Sequence, residues 1–392
     1  MLGQSPPGSQ PGKEWWQEMN THSLERLGSF LREQSLAALL LSDQHSLTWL
    51  TGYAPPVETG PNPFEGGPAL AWFSDGQVTM VLSDAEAGAA KATGAAVQEY
   101  LSYTIEAPLS GPRNQAEALA KTLAPFGTLK GNVGVEMNQL SASLFETLQN
   151  ALPSACLQPG DGLLEPLRAI KSAPELERIR AVLALCDQAQ AETRILISPG
   201  KTEIEVWASL KAFLEVRACG RLPVLADFVA GARTADMGGL PGTYALKAGD
   251  AVIADIVPRL GGYWGDNAGT HFVGEPSAEL RRIFDVVMEA LQRGIQAVKP
   301  GLRACDLDAL LRGLIRDQGY PVYPHHSGHG IGVSYHEEPR LVPYNTMPLQ
   351  AGMVVAIEPG IYLPGVGGVR LEDVVLVTGI GCEVLTKHLG NA

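Results

Sequence analysis

The chain has 392 residues, 45% hydrophobic and 18% charged, enough for a large core and more than one domain. Its formal charge of -13, with no Lys/Arg cluster, excludes nucleic acid and an anionic membrane surface as partners, since both require a positive face. No apolar run approaches the ~18 residues of a membrane span, and the start lacks a basic stretch followed by an apolar one. Five scattered cysteines, odd in number and without a CxxC pair, read as free thiols in a reducing cytoplasm.

Residues 1–20 are rich in Pro, Gly, Ser and Gln and read as a disordered tail. From Leu24, LERLGSFLREQ has helical spacing and LAALLLS is a buried-strand run. ALAWFS, QVTMVL and NVGVEM are further strands, with helices over NQAEALAKTLAP and SASLFETLQNAL, so residues 21–165 form an α/β domain. Residues 54–68 carry too many Pro and Gly for a regular element and make a substantial loop.

A second domain is expected over residues 166–392. In PELERIRAVLALCDQAQAETRILI, Leu176, Ile179, Val182, Leu183 and Cys186 line one helical face, and Ser198-Pro199-Gly200 ends the helix. Thr202 with Glu205 fits a capping box. Ser277 caps a helix that runs to about Val298, and Asp306 caps LDALLRGLIRD.

Five residues with metal-ligand chemistry follow, each in an apolar or glycine-rich segment: Asp255, Asp266, His329, Glu358 and Glu372. Singly, each acid would read as a turn or surface residue and the histidine as structural. Together, acids in apolar strands are too costly to bury unless they share cations. A hairpin with its midpoint between Leu260 and Gly261 sets Asp255 opposite Asp266, and one centred on Gly365 sets Glu358 opposite Glu372. Four carboxylates and one imidazole suit two divalent ions, Mn, Co, Zn or Fe, whose charge they balance. Arg370 is placed to offset a hydroxide and is a candidate substrate-side cation. His325 and His326 read as an exposed pair, and Tyr263 and Trp264 as core or pocket wall. GHGIG lacks the Lys-Ser/Thr of a phosphate loop.

DIVPRLGGYWGDNAG, GHGIGVSYHEEPR, IEPGIYLPG and GVRLED resemble the pita-bread metallopeptidases, the group of methionine aminopeptidase, aminopeptidase P and prolidase, with creatinase as a metal-free relative. The steps of 11, 63, 29 and 14 residues between the five ligands are closest to prolidase. The resemblance extends to the first half through RLGSFLREQSLAALLLSDQHSLTWLTGY and LRAIKSAPELERIR. It implies an α/β (α+β) protein: a creatinase-like α/β amino-terminal domain, then a pita-bread catalytic domain with a strongly curved antiparallel sheet. It also implies that Asp266 and Glu372 bridge two metals, manganese foremost, with Asp255 on one and His329 and Glu358 on the other. A hydroxide held between the metals would be the nucleophile, with Glu358 handling its proton. His336 would bind the substrate carbonyl and Arg340 the carboxylate of a dipeptide. The implied activity is cleavage of Xaa-Pro bonds in short peptides by a cytoplasmic homodimer, with the 54–68 loop overhanging the partner's site.

Three other readings stay open: aminopeptidase P action on longer peptides, a non-peptidase C–N hydrolase or lyase of creatinase descent, and a binding module that kept the fold. The chain also departs from the family pattern. Gly238 stands 17 residues before Asp255, where prolidases carry a substrate-facing histidine. Ala268 and Gly269 replace the usual Thr-Arg, and Thr270 is expected to compensate if its strand bulges.

Overall fold

Between Gly12 and Gly28 the sequence has no helix breaker, and the chain there is helical: α1 spans Lys13–Glu33. The computed structural model describes residues 13–56 and 66–389. The expected tail over 1–20 is therefore corrected, because the Pro/Gly-rich composition stops at Gly12. Residues 1–12, and 57–65 of the 54–68 loop, lie outside the described residues.

The chain divides between Arg168 and Ala169 into two units. In the first, β1 (Leu36–Leu41), α2 (Gln44–Thr51), β2 (Leu70–Ser74), β3 (Gln77–Ser83), α3 (Asp84–Ala92) and β4 (Ala96–Tyr100) follow α1. Next come α4 (Gly111–Leu123), β5 (Gly131–Val135), α5 (Ala142–Ala151), β6 (Ala155–Pro159) and the short α6 (Glu165–Ala169). The strands form a mixed sheet in the order β4-β3-β2-β1-β5-β6, with β1 antiparallel to β2 and parallel to β5. Leu40, Trp72 and Val133 pack against Leu119 of α4 and Leu148 of α5. Each such fully buried apolar side chain contributes roughly 1.5–3 kcal/mol. Among the described residues one acid of this unit is buried: Glu136 accepts from Ser42 N, Asp43 N and Ser46 Oγ.

The second unit opens with α7 (Ala173–Leu196) and α8 (Glu203–Arg217). Both start in capping boxes, Ser172 with Glu175 and Thr202 with Glu205. Strands β7 (Val224–Ala230), β8 (Ala251–Leu260), β9 (Tyr263–Trp264) and β10 (Asn267–Phe272) precede α9 (Ala278–Ala297) and α10 (Ala304–Asp317). Ser277 caps α9 by accepting from Leu280 N. Asp306, expected as a cap, instead lies in the first turn of α10 and binds the Arg303 side chain. Strands β11 (Gly328–Gly330), β12 (Val354–Ile357), β13 (Gly360–Leu363), β14 (Gly367–Arg370), β15 (Asp373–Val377) and β16 (Cys382–Val384) complete the unit.

These strands pair antiparallel in three pieces: β10-β8-β7 with β9 on β8, β11-β12-β15-β16, and β13-β14. Alternation along β8 decides which way the site faces. Val252, Ala254 and Ile256 join a core with Val206 and Leu210 of α8. Ala251 and Ile253 face the other core, built with Val287 and Leu291 of α9 and Leu311 of α10. Asp255 is next in that second row.

Candidate metal centre

Gly261 and Gly262, with φ of 56° and 88°, make the two-residue turn of the β8–β9 hairpin and pair Leu260 with Tyr263. The register then sets Asp255 opposite Ala268 rather than Asp266. The expected midpoint was one residue early, which moves the opposite partner by two. Because strand faces repeat every two residues, Asp266 keeps the face of Asp255. The second hairpin matches expectation: Gly360 pairs with Arg370 and Leu363 with Gly367, so Glu358 and Glu372 sit at corresponding positions just beyond the ladder.

All five expected ligands converge. Ligand atoms of Asp255, Asp266 and Glu372 lie within 4.8 Å of one another, as do those of His329, Glu358 and Glu372. A third triad joins Asp266, His329 and His336 on the same criterion. Glu372 thus belongs to both acid-containing halves, and Asp266 reaches across to the imidazole side. His329 Nδ1 donates to Gly330 O at 2.9 Å, which leaves Nε2 as the free lone pair, 3.6 Å from Asp266 and 3.7 Å from Glu358.

Electrostatics make this cluster unstable as four bare carboxylates. Burial, then Glu372, Asp255 and Glu358, push Asp266 well above the usual carboxylate range. Burial and the Glu358 and Asp255 charges do the same to Glu372. Asp255 is raised to about 6 by burial, with Arg370 pulling the other way. Glu358 is the exception: burial raises it, but His326, His329 and His325 together bring it down to about 2. One oxygen each of Asp255, Asp266 and Glu372 is buried without a hydrogen-bond donor, and Glu358 Oε1 has His326 Nδ1 beside it at 2.9 Å. Buried acceptors left open in this way cost about 1–3 kcal/mol each and more when charged, so the donor set fits divalent cations and little else.

The surrounding residues hold the ligands in place. Thr270 Oγ donates to Arg370 O at 2.9 Å and accepts from Arg370 N at 3.0 Å, which ties β10 to β14. This happens without the expected bulge, since β10 pairs with β8 in unbroken register. Gly269 has no room for a longer side chain: a Cβ there would sit 2.6 Å from Gln190 Oε1. Ala268 O accepts from Glu372 N and from His388 Nε2, and Asn267 Nδ2 donates to His388 Nδ1.

Arg370 is buried and its guanidinium is taken up by protein acceptors: Asp255, Asp227, Tyr362 Oη and Met237 O. Its expected role in substrate binding is corrected accordingly, while charge offset beside Asp255 remains. His325 and His326 are also not an exposed pair. His326 Nδ1 lies 2.9 Å from Glu358 Oε1, and His325 Nε2 bonds Tyr362 Oη at 2.9 Å. The His336 ring lies tilted against that of His329, centroids 4.1 Å apart, and desolvation, then the neighbouring His329 and His326, bring it to about 3. Arg340 is exposed and near enough to lower both His329 and His336. Trp264 is a wall residue, edge-on to Tyr335 at 5.5 Å. Asp227 and His388 escaped the sequence reading because each acts through a pairing across a long connection, and Tyr362 because no local pattern marks its bonds to Arg370 and His325.

Convergent carboxylates around one imidazole, in an antiparallel sheet, form the site of a metal-dependent hydrolase. Comparison with known proteins gives the particular class. The model of metallopeptidase family M24 matches residues 177–379, over half of the chain, and that of the creatinase/prolidase N-terminal domain matches residues 24–170. The Xaa-Pro dipeptidase of Pyrococcus furiosus is 35% identical over 65% of this chain and 73% of its own. The solved Xaa-Pro dipeptidase from Bacillus anthracis superposes with a TM-score of 0.78 at 30% identity, covering 94% of this chain and 98% of that one. The X-Pro aminopeptidase from Thermotoga maritima gives 0.79 at 26% identity, over 93% and 97%. The chain belongs to metallopeptidase family M24. It is a metal-dependent peptidase with the pita-bread fold behind a creatinase-like domain.

Proposed function

We propose that this peptidase hydrolyses Xaa-Pro dipeptides. The observation that carries the reading is the set of donorless carboxylate oxygens on Asp255, Asp266 and Glu372, gathered with Glu358 and His329 Nε2. Asp266 and Glu372 would hold both ions, Asp255 one, and His329 with Glu358 the other. Divalent ions bound there lower the pKa of water from about 15.7 to about 7 and polarise a carbonyl. Glu358, kept ionised by three imidazoles, accepts a proton and returns it to the leaving nitrogen. His336, neutral at ordinary pH, orients the substrate carbonyl. Arg340, exposed beside both histidines, supports a dipeptide over a longer peptide, since a guanidinium fork pairs with a free carboxylate.

Oxygen-rich ligation with one imidazole supports manganese first, with cobalt, zinc or iron as substitutes. Five free cysteines support a reducing, cytoplasmic setting. A homodimer is part of the same reading.

The test is hydrolysis of Xaa-Pro and Xaa-Pro-Xaa peptides by chelator-stripped protein resupplied with Mn, Co or Zn. Activity restored by metal and confined to dipeptides is expected. Undiminished activity after stripping would overturn the mechanism, and preference for tripeptides would replace it with aminopeptidase P action.

A further inference from the structure

Asp227 is the acid that the five-ligand set leaves over. It lies on β7, the edge of its sheet, directly opposite Asp255, so the two carboxylates leave one face. Arg370 Nη1 reaches both, at 2.5 Å to Asp255 Oδ2 and 3.2 Å to Asp227 Oδ2. Nη1 thus donates to both carboxylates, more closely to Asp255. Asp227 Oδ1 accepts from Gly239 N at 2.8 Å, which leaves further lone pairs open on both oxygens. Its side chain is 37% exposed against 13% for Asp255.

The backbone around it keeps that carboxylate uncovered. A Cβ on Gly238 would collide with the Asp227 carboxylate, so a larger residue there would push that carboxylate out of its present place. Met237 adopts a left-handed φ of 74°, and Arg370 Nη2 donates to its carbonyl at 2.7 Å. A non-glycine residue in that region costs about 1–3 kcal/mol, and persists where its neighbours over-determine it. The 237–239 turn is thus strapped around Asp227 from both sides.

Charge gives the consequence. Asp255 and Asp227 share one guanidinium, so the two acids together carry one more negative charge than Arg370 offsets, and Asp227 is the more exposed of the pair. We propose that Asp227 is a specificity-determining residue that binds a cationic group on the amino-terminal residue of the substrate. That cation is its α-ammonium or a basic side chain. The inference rests on the dipeptidase reading above.

Calorimetry of metal-loaded protein and D227N with ketomethylene isosteres of Ala-Pro, Lys-Pro and N-acetyl-Ala-Pro separates the sources. Tenfold or greater weakening of Ala-Pro and Lys-Pro, with N-acetyl-Ala-Pro unchanged, assigns the α-ammonium. Weakening of Lys-Pro alone assigns the side chain. In both cases KM rises on the cleavable peptides with little change in kcat, metal content is unchanged, and D227E restores binding. Equal weakening of all three ligands, or loss of metal from D227N, would show that Asp227 acts only through Arg370 and Asp255 and would overturn the proposal. So would no weakening at all. Failure of the unmodified protein to bind any isostere counts against the dipeptidase reading instead.

Discussion

Glu136 in the first unit and Glu372 in the second are both buried glutamates, 3% and 1% exposed, but their surroundings are opposite. Around Glu136 the chain supplies donors to both oxygens: Ser42 N and Asp43 N at 2.7 Å, and Ser46 Oγ at 2.5 Å. Around Glu372 it supplies further acids and leaves Oε1 with no donor. Burial alone therefore does not separate a structural acid from a functional one. What separates them is whether the protein itself completes the oxygen's coordination.

The contrast breaks most sharply at Glu372. Glu372→Gln is expected to remove at least one metal ion by elemental analysis. Loss of an outer-sphere partner costs roughly 10–100-fold, so a direct ligand costs more than about 100-fold in activity. Retention of two ions would mean that the orphan oxygen is not a ligand position. Next in size, Glu136→Gln turns an acceptor into a donor facing donors. Urea unfolding should show about 1–3 kcal/mol of lost stability with metal content intact. An unchanged midpoint would erase the distinction between the two acids.

The smallest effect is a pH dependence in the first unit. Burial, outweighing the bonds from Ser46, Asp43 and Ser42, raises Glu136 from 4.5 to about 7. A folded-state value above the unfolded one gives stability fully present below about 4.5 and lost as pH rises through about 7. Hydrogen exchange at the Ser42 and Asp43 amides, corrected for intrinsic rate, should speed up across that window and flatten in Glu136→Gln. Constant protection would argue that the bonded carboxylate is ionised throughout.

Much of the site was legible because acids in apolar strands have few explanations. The β13–β14 register followed from its turn, and the five ligands followed from composition against context. The β8–β9 register was misread by one position although Gly261-Gly262 is itself a two-residue hairpin signal. The face survived because the resulting shift was even. Asp227 was not legible: 20 residues separate the end of β7 at Ala230 from the start of β8 at Ala251, and no local pattern predicts that the two strands pair. His325 and His326 looked exposed because a glycine-rich loop says nothing about the acid it folds against. In the first unit, α2 and α3 were too short for periodicity to reveal.

The bond from His388 to the Ala268 carbonyl sets an order in time. Asp255 and His388 are 133 positions apart, counting 388 minus 255. At roughly 5–20 residues per second, on the order of ten seconds of synthesis separate them. During that interval the first acids exist without the clamp that fixes their strand, the opposing hairpin or the histidine. The ligands and the bond that clamps their strand are therefore complete together only after His388 has been made.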